Sequence, residues 1–185
     1  VLAQISDQLA TLHGIQRAYP GALKDSPVTQ KAPPASTLAR ALLEVDATAE
    51  AQPVVAAQRA QIRDKLHALW APLTGRSTYH LLHGELAGGH VLIQESDLKV
   101  YFVDIEGIHF GDLEAEHTFL QLIYGADYRY LARADLDPAR MAFYKFAMHV
   151  SLVYAGSCFM LRGFHNQAWA EALFKSHLAH VLNSL

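Results

Sequence analysis

Glu85, His90 and Asp104 carry groups that can take a proton or hold a divalent cation, and their spacing gives them a reason to meet. The first two lie five positions apart in His83-Gly84-Glu85-Leu86-Ala87-Gly88-Gly89-His90, where the glycines let the backbone turn tightly or approach a ligand. Two short runs rich in β-branched residues follow, Val91 to Ile93 and Val100 to Val103, with polar Glu95-Ser96-Asp97 between them. This pattern predicts a hairpin. A hairpin sets its outer ends side by side, so His90 ahead of one strand and Asp104 after the other are expected to come together. Glu85 sits in the loop before them, and the apolar stretch Tyr79 to Leu82 reads as a further buried strand.

Helices must position this loop and hairpin. Val1, Ile5, Leu9 and Leu12 recur at helical spacing. Asp112 is placed to N-cap a helix running to about Tyr124. Apolar residues recur every three or four positions from Ser36 to about Ala51 and from Val54 to about Trp70, with Pro53 dividing the two predicted helices. Two more are predicted from Met141 to about Leu161 and from Ala168 to Leu182, with Tyr144, Phe146, Tyr154, Phe159 and Phe174 as core aromatics. Tyr19 to Ala35 contains Pro20, Gly21, Pro27, Pro33 and Pro34 and reads as a loop. The fold class expected is α+β, mainly α-helical, with a short β-hairpin carrying the candidate site.

The 185 residues suffice for one substantial core, and a single domain over residues 1–185 is the simplest reading. A net charge of −3 without any block of Lys or Arg argues against a broad nucleic-acid surface. The apolar run Met148 to Leu161 is too short to span a bilayer and is interrupted by His149, Ser151, Gly156 and Ser157, so it is expected to be buried. Cys158 is the single cysteine and can form no internal disulfide, and no secretory signal pattern opens the chain. The expected location is the cytoplasm. The expected partners are small molecules, with neither nucleic acid nor membrane among them.

Taken together, Leu82-His83-Gly84-Glu85 through His90 and Tyr101-Phe102-Val103-Asp104-Ile105-Glu106-Gly107 resemble two segments of the aminoglycoside phosphotransferase and choline kinase-like family, a branch of the protein-kinase-like fold. These are its catalytic loop and its metal-binding segment. Ile5 to Gly14 looks like the Leu-Ala-x-Leu-His helix that begins the family's helical lobe, and Phe110 to His117 is similar to its Gly-Asp-x-x-x-Asp-Leu-Ala segment. The resemblance implies phosphoryl transfer from ATP or GTP to a hydroxyl or amine of a small molecule, such as an aminoglycoside, a choline-like alcohol, a sugar or a glycated amine. It implies Glu85 as the base, His83 as the residue orienting the loop, and His90 and Asp104 as metal ligands, Asp104 being the main ligand to Mg²⁺. Leu92 and Val103 would form the floor under the adenine ring. Glu106 would contact a metal-bound water or the acceptor, or else stabilise its turn. The chain would then be the C-terminal lobe of a longer protein, working with an N-terminal lobe whose lysine contacts the nucleotide phosphates. Gly111-Asp112-x-Glu114-x-Glu116 with Leu122-x-x-Gly125 also resembles the fructosamine kinase group.

Four positions depart from that pattern. The family has aspartate where this chain has Glu85 and Glu116, asparagine where it has His90, and leucine where it has His117. An extra methylene at the base displaces its carboxylate, which disturbs a step that depends on geometry. An imidazole at His90 suits transition metals better than Mg²⁺, so Mn²⁺ is an alternative ion, as is a site in which His90 does not ligate at all. Two other classes of function stand beside the kinase reading. One is a pseudo-kinase or binding module. The other is a metal-dependent hydrolase using His83, His90, His109 and His117, though no His-Glu-x-x-His or Cys-x-x-Cys pair supports it. Asp127, Asp135, Asp137 and Glu171 would attract a cationic acceptor or serve as surface carboxylates.

Overall fold

The computed structural model describes residues 1–24 and 33–185. They form two compact units, one made of Val1–Pro33 and Thr74–Met141, the other of Pro34–Leu73 and Ala142–Leu185. Among the described residues the chain is mainly helical with two small antiparallel sheets, as the α+β expectation requires.

The first unit contains α1 (Leu2–His13), β1 (Gln16–Arg17), β2 (Gly21–Ala22), β3 (Tyr79–Leu82), β4 (Val91–Ile93), β5 (Val100–Phe102), β6 (His109–Gly111) and α4 (Leu113–Tyr124). One sheet has the order β1-β3-β6-β2, with Leu81 opposite Phe110. The other is the predicted hairpin, with Leu92 opposite Tyr101. On α1 the buried residues are Ile5, Leu9 and His13, while Val1 is exposed. The apolar stripe therefore extends to a histidine, for a reason that lies in the candidate site.

Ile5, Leu9, Leu86, Val100, Leu120 and Leu131 form one buried cluster. It joins α1, the loop after β3, the hairpin and α4 in a shared core, so the candidate loop is anchored at Leu86 by apolar burial worth about 2 kcal/mol for that side chain. Gly21–Ala22 lies in the stretch Tyr19 to Ala35 that the sequence marks as a loop, and the short strand β2 there corrects that expectation. Arg17 accounts for it. Its guanidinium lies 4.2 Å from the Tyr19 ring centroid and 4.1 Å from that of Phe110, and it donates to the carbonyls of Tyr19, Gly21 and Ala22. Gly21 adopts φ 111°, which a side chain would resist. The rest of the predicted loop, residues 25–32, lies outside the described residues, and helix begins at Pro33 within its last part.

The second unit is built from α2 (Pro33–Ala51), α3 (Pro53–Trp70), α5 (Pro138–Leu161) from Ala142 onward, and α6 (Gln167–Leu182). Gln52 is extended at φ −126° and ψ 101°, and Pro53 opens α3 at a position where its missing N–H costs nothing. Tyr144, Phe146 and Phe174 are buried as expected. Tyr154 and Phe159 are only partly covered, and Phe159 packs against Phe164 and Trp169. Among the described residues no helix is long and apolar enough to cross a membrane.

Two features of α5 and α6 govern the stability of this unit. At Gly156 a Cβ atom would stand 2.8 Å from the Phe174 backbone nitrogen, so the helices meet where no side chain intervenes. The second is a histidine pair. The Nδ1 atoms of His149 and His177 lie 2.9 Å apart, one donating to the other, and the His180 ring stacks on His149 at 4.5 Å. Burial, with repulsion from His177, His180 and Lys145, pushes the His149 imidazole down to about 4.

Gly156→Ala is expected to destabilise the protein by about 1–3 kcal/mol in urea unfolding, because rigid backbone cannot yield cheaply. His149 also imposes a pH dependence. Its folded pKa lies below the unfolded value of 6.5, so its contribution is complete above about pH 6.5 and is lost as pH falls through about 4. Thermal melts across that window are expected to show a loss on the order of 2 kcal/mol that His149→Gln flattens.

Candidate active site

The strand pairing is what assembles the site. Val103 N–H donates to the His90 carbonyl at 3.0 Å, which extends the β4–β5 ladder by one rung and brings the two side-chain positions level. Asp104 then takes the left-handed conformation, φ 63° and ψ 51°, and a 3₁₀ turn, Ile105–Gly107, follows. Aspartate tolerates this region better than most residues. On the other side Gly88–His90 forms a 3₁₀ turn that folds the loop back on itself, with His90 N–H donating to the Ala87 carbonyl at 2.9 Å.

His90 consequently bridges the loop and the hairpin. Its Nδ1 donates to the Glu85 carbonyl at 2.6 Å, and its Nε2 stands 2.9 Å from Oδ2 of Asp104. Glu85, His90 and Asp104 are thus brought together, although Glu85 enters the chain of contacts through its backbone. The Glu85 side chain is exposed, as are Asp104 and Glu106. Leu92 is 53% exposed, and Val103 is partly covered. The His83 ring is buried, donates from Nε2 to the Val103 carbonyl at 2.9 Å and stacks on the His90 ring at 6.1 Å.

Glu116 holds the loop from beneath. Its carboxylate accepts from the backbone N–H of His83 at 3.0 Å and of Gly84 at 3.0 Å, and it pairs with Nε2 of His13 at 2.7 Å. The contacts with His83 and His13 are buried and that with Gly84 is partly so, and His13 and Glu116 are each 2% exposed. Gly84 has φ 91°, and a Cβ there would meet the His109 ring at 3.3 Å. In the sequence, Glu116 stood out only as a departure from a pattern. The signal that marks it is its place between Leu113 and Leu120 on the inward stripe of α4, where a carboxylate must find donors. His117 lies beside it, and burial, with repulsion from His13, lowers its imidazole to about 4 and so keeps it neutral.

A second buried charge network corrects the reading of Asp112. The residue occupies the N-cap position of α4, but its side chain makes no capping hydrogen bond. It pairs instead with Arg140 at 2.5 Å, and Arg140 also donates to the Thr74 carbonyl. Glu114 accepts from Arg76 at 2.6 Å and from the Asp137 N–H at 2.8 Å. The acidic residues considered as attractors for a cationic acceptor are mostly engaged locally. Arg133 holds Asp135 and depresses its carboxyl to about 2, Asp137 accepts from the Ala139 N–H at 2.8 Å, and Glu171 pairs with Lys175 at 2.6 Å. Asp127 is exposed.

Whether His90 and Asp104 suit a divalent ion can be judged from their geometry. Neighbouring ligands about 2.1 Å from an octahedral ion stand about 3.0 Å apart, close to the 2.9 Å between Nε2 and Oδ2. The Nδ1 proton given to a carbonyl leaves Nε2 as the nitrogen available for ligation, the usual outer-shell arrangement of a metal-bound histidine. The pair fits an ion whose other positions are filled by water or phosphate oxygens. Among the described residues no group of three or more His, Cys, Asp or Glu could hold a metal by itself. The hydrolase reading therefore finds no ligand set there, and His109 is turned aside to the Gly107 carbonyl at 2.9 Å.

A glycine-rich loop thus closes on a hairpin, with a histidine and an aspartate meeting across it and a buried carboxylate beneath. The sequence model of the phosphotransferase enzyme family matches residues 1–150, and the chain belongs to that family. The resemblance to aminoglycoside phosphotransferases and choline kinases is thereby borne out. No curated protein and no solved structure gives a significant match.

Removing the carboxylate beneath the loop tests its role. Glu116→Ala strands two buried amides and a histidine and is expected to cost about 3–5 kcal/mol in urea unfolding. Amide exchange at His83 and Gly84 should accelerate with it; unchanged protection at those two amides would contradict the assignment.

Proposed function

We propose that this chain is the C-terminal lobe of a kinase-like enzyme that transfers the terminal phosphoryl group of ATP or GTP to a hydroxyl or amine of a small molecule. The observation that carries the reading is the continuous contact from the Glu85 carbonyl through the His90 ring to the Asp104 carboxylate. In this reading the Glu85 carboxylate takes the proton of the acceptor as its oxygen or nitrogen bonds to the γ-phosphorus and the bond to the β-phosphate oxygen breaks. The exposure of Glu85 leaves it free to reach an acceptor. His83, held by Val103 and stacked on His90, keeps the loop in register.

Asp104 and His90 would hold the divalent ion, Mg²⁺ or Mn²⁺, and the imidazole donor favours Mn²⁺. When bound, that ion neutralises charge on the nucleotide phosphates. Leu92 and Val103 would lie under the adenine, which accords with the exposure of an apolar Leu92 side chain on the hairpin. Glu106, exposed on the turn after Asp104, faces solvent where an acceptor or a metal-bound water would approach. An N-terminal lobe of the same protein would supply the lysine to the phosphates.

A second reading has its own support. The 2.9 Å contact between His90 and Asp104 is also that of a direct hydrogen bond, and a ring engaged in this way leaves one carboxylate for an ion. A nucleotide-binding module without turnover would follow.

Calorimetric titration of ATP and GTP with Mg²⁺ and with Mn²⁺ separates these readings. In an active enzyme, Asp104→Asn abolishes metal-dependent binding and transfer. Glu85→Gln lowers turnover by about 10²–10⁴-fold with little change in nucleotide affinity. Equal turnover in wild type and Glu85→Gln would remove Glu85 as the base, and nucleotide binding without any transfer would favour the module.

A further inference from the structure

We propose that Gln4 and Gln8 are positioning residues for Asp104 and His90, acting through the backbone of Val100; this rests on the phosphotransferase reading of that site. Among the described residues β5 has a single strand neighbour, β4. In an antiparallel pair, residues alternate between those whose main-chain groups face the partner and those whose groups face away. The bonds from Gln94 to Lys99 at 2.8 Å and from Val103 to His90 at 3.0 Å fix that alternation, so the N–H and C=O of Val100 point away from β4.

Both groups are met by side chains of α1. Gln8 Nε2 donates to the Val100 carbonyl at 2.5 Å, and the Val100 N–H donates to Gln4 Oε1 at 3.2 Å. The two glutamines are four residues apart and so stand one turn above the other on the same face of the helix. Their amides offer β5 the donor and the acceptor that a third strand would have offered. This arrangement also fixes which end of each amide faces the strand, because an N–H requires an oxygen and a carbonyl requires an N–H.

The clamp is registered by packing. Ile5 and Leu9, each one position beyond a glutamine, are buried with Val100 in the same cluster, so α1 cannot slide along β5 without losing core contacts and both hydrogen bonds. A three-residue strand with one neighbour is otherwise a weak platform. Asp104 follows Val100 by four residues, and the rung next to Asp104 is the Val103–His90 bond. The placement of the Asp104 carboxylate against the His90 ring thus depends on where α1 holds Val100. Neither glutamine touches a reacting group.

The two positions respond oppositely to the same change. Glutamate in place of Gln4 still presents an oxygen to the Val100 N–H, whereas glutamate in place of Gln8 removes a donor and sets a carboxylate against a carbonyl. Mn²⁺ is titrated into the full chain and followed by electron paramagnetic resonance. Gln4→Glu is expected to bind within about twofold of wild type and Gln8→Glu about tenfold more weakly, the scale of an outer-shell change at a metal site. Amide exchange at Val100 should accelerate in Gln8→Glu alone. If that variant does not fold, Gln8→Met, which keeps the length and lacks the donor, is expected to weaken Mn²⁺ binding in the same direction. Wild-type affinity in the folded Gln8 variant, or equal losses in Gln4→Glu and Gln8→Glu, would overturn the proposal while leaving the phosphotransferase reading intact. Absence of Mn²⁺ binding in the wild type both alone and with saturating ATP would overturn both.

Discussion

A carboxylate without water must be given donors, and in this protein Glu116 receives them from the loop that carries the candidate chemistry. The N–H groups of His83 and Gly84 both converge on it, with His13 completing the set. Charge-assisted bonds of this kind are roughly twice as strong as neutral ones, and burial removes the competition from solvent. The loop conformation, the burial of a histidine at the end of α1 and the position of α4 under the sheet are three aspects of one constraint.

From that fixed point the site is assembled outward by increasingly local interactions. Leu86 sinks into the shared core just beyond the held segment, a 3₁₀ turn reverses the chain, and the ladder between His90 and Val103 sets the imidazole beside the carboxylate. The upper edge of the candidate site is left comparatively open, with Glu85, Asp104 and Glu106 all exposed. Rigid support below and exposed side chains above is the arrangement expected where a ligand has to enter and leave.

Much of this was legible in the sequence because it follows short-range rules. Two short β-branched runs with a polar turn between them marked the hairpin, Pro53 marked the break between α2 and α3, and the meeting of His90 with Asp104 required only that a hairpin bring its ends together. What was not legible depends on partners far apart in the chain. Asp112 has the residue type and position of a cap, yet its side chain is taken by a buried ion pair with Arg140, 28 residues on. Glu116 and His117 read as departures from a family pattern, and only their location inside α4 gives the glutamate its donors and the histidine its neutral state. The two-residue strands β1 and β2 carry too few residues for any periodicity and exist because Arg17 ties their turn together.

The paired charges at the start of α4 constrain how this sequence can drift. Arg140 with Asp112 and Arg76 with Glu114 are each buried on the acidic side, so losing one partner strands the other in a medium that solvates it poorly. Replacing both members of a pair by apolar residues of similar volume avoids that penalty, but no single nucleotide change achieves it, and the intermediate carries the full cost. The corner beside the candidate site is therefore entrenched: lineages of this protein are expected to retain or exchange these residues as pairs, even though the proposed chemistry uses none of them.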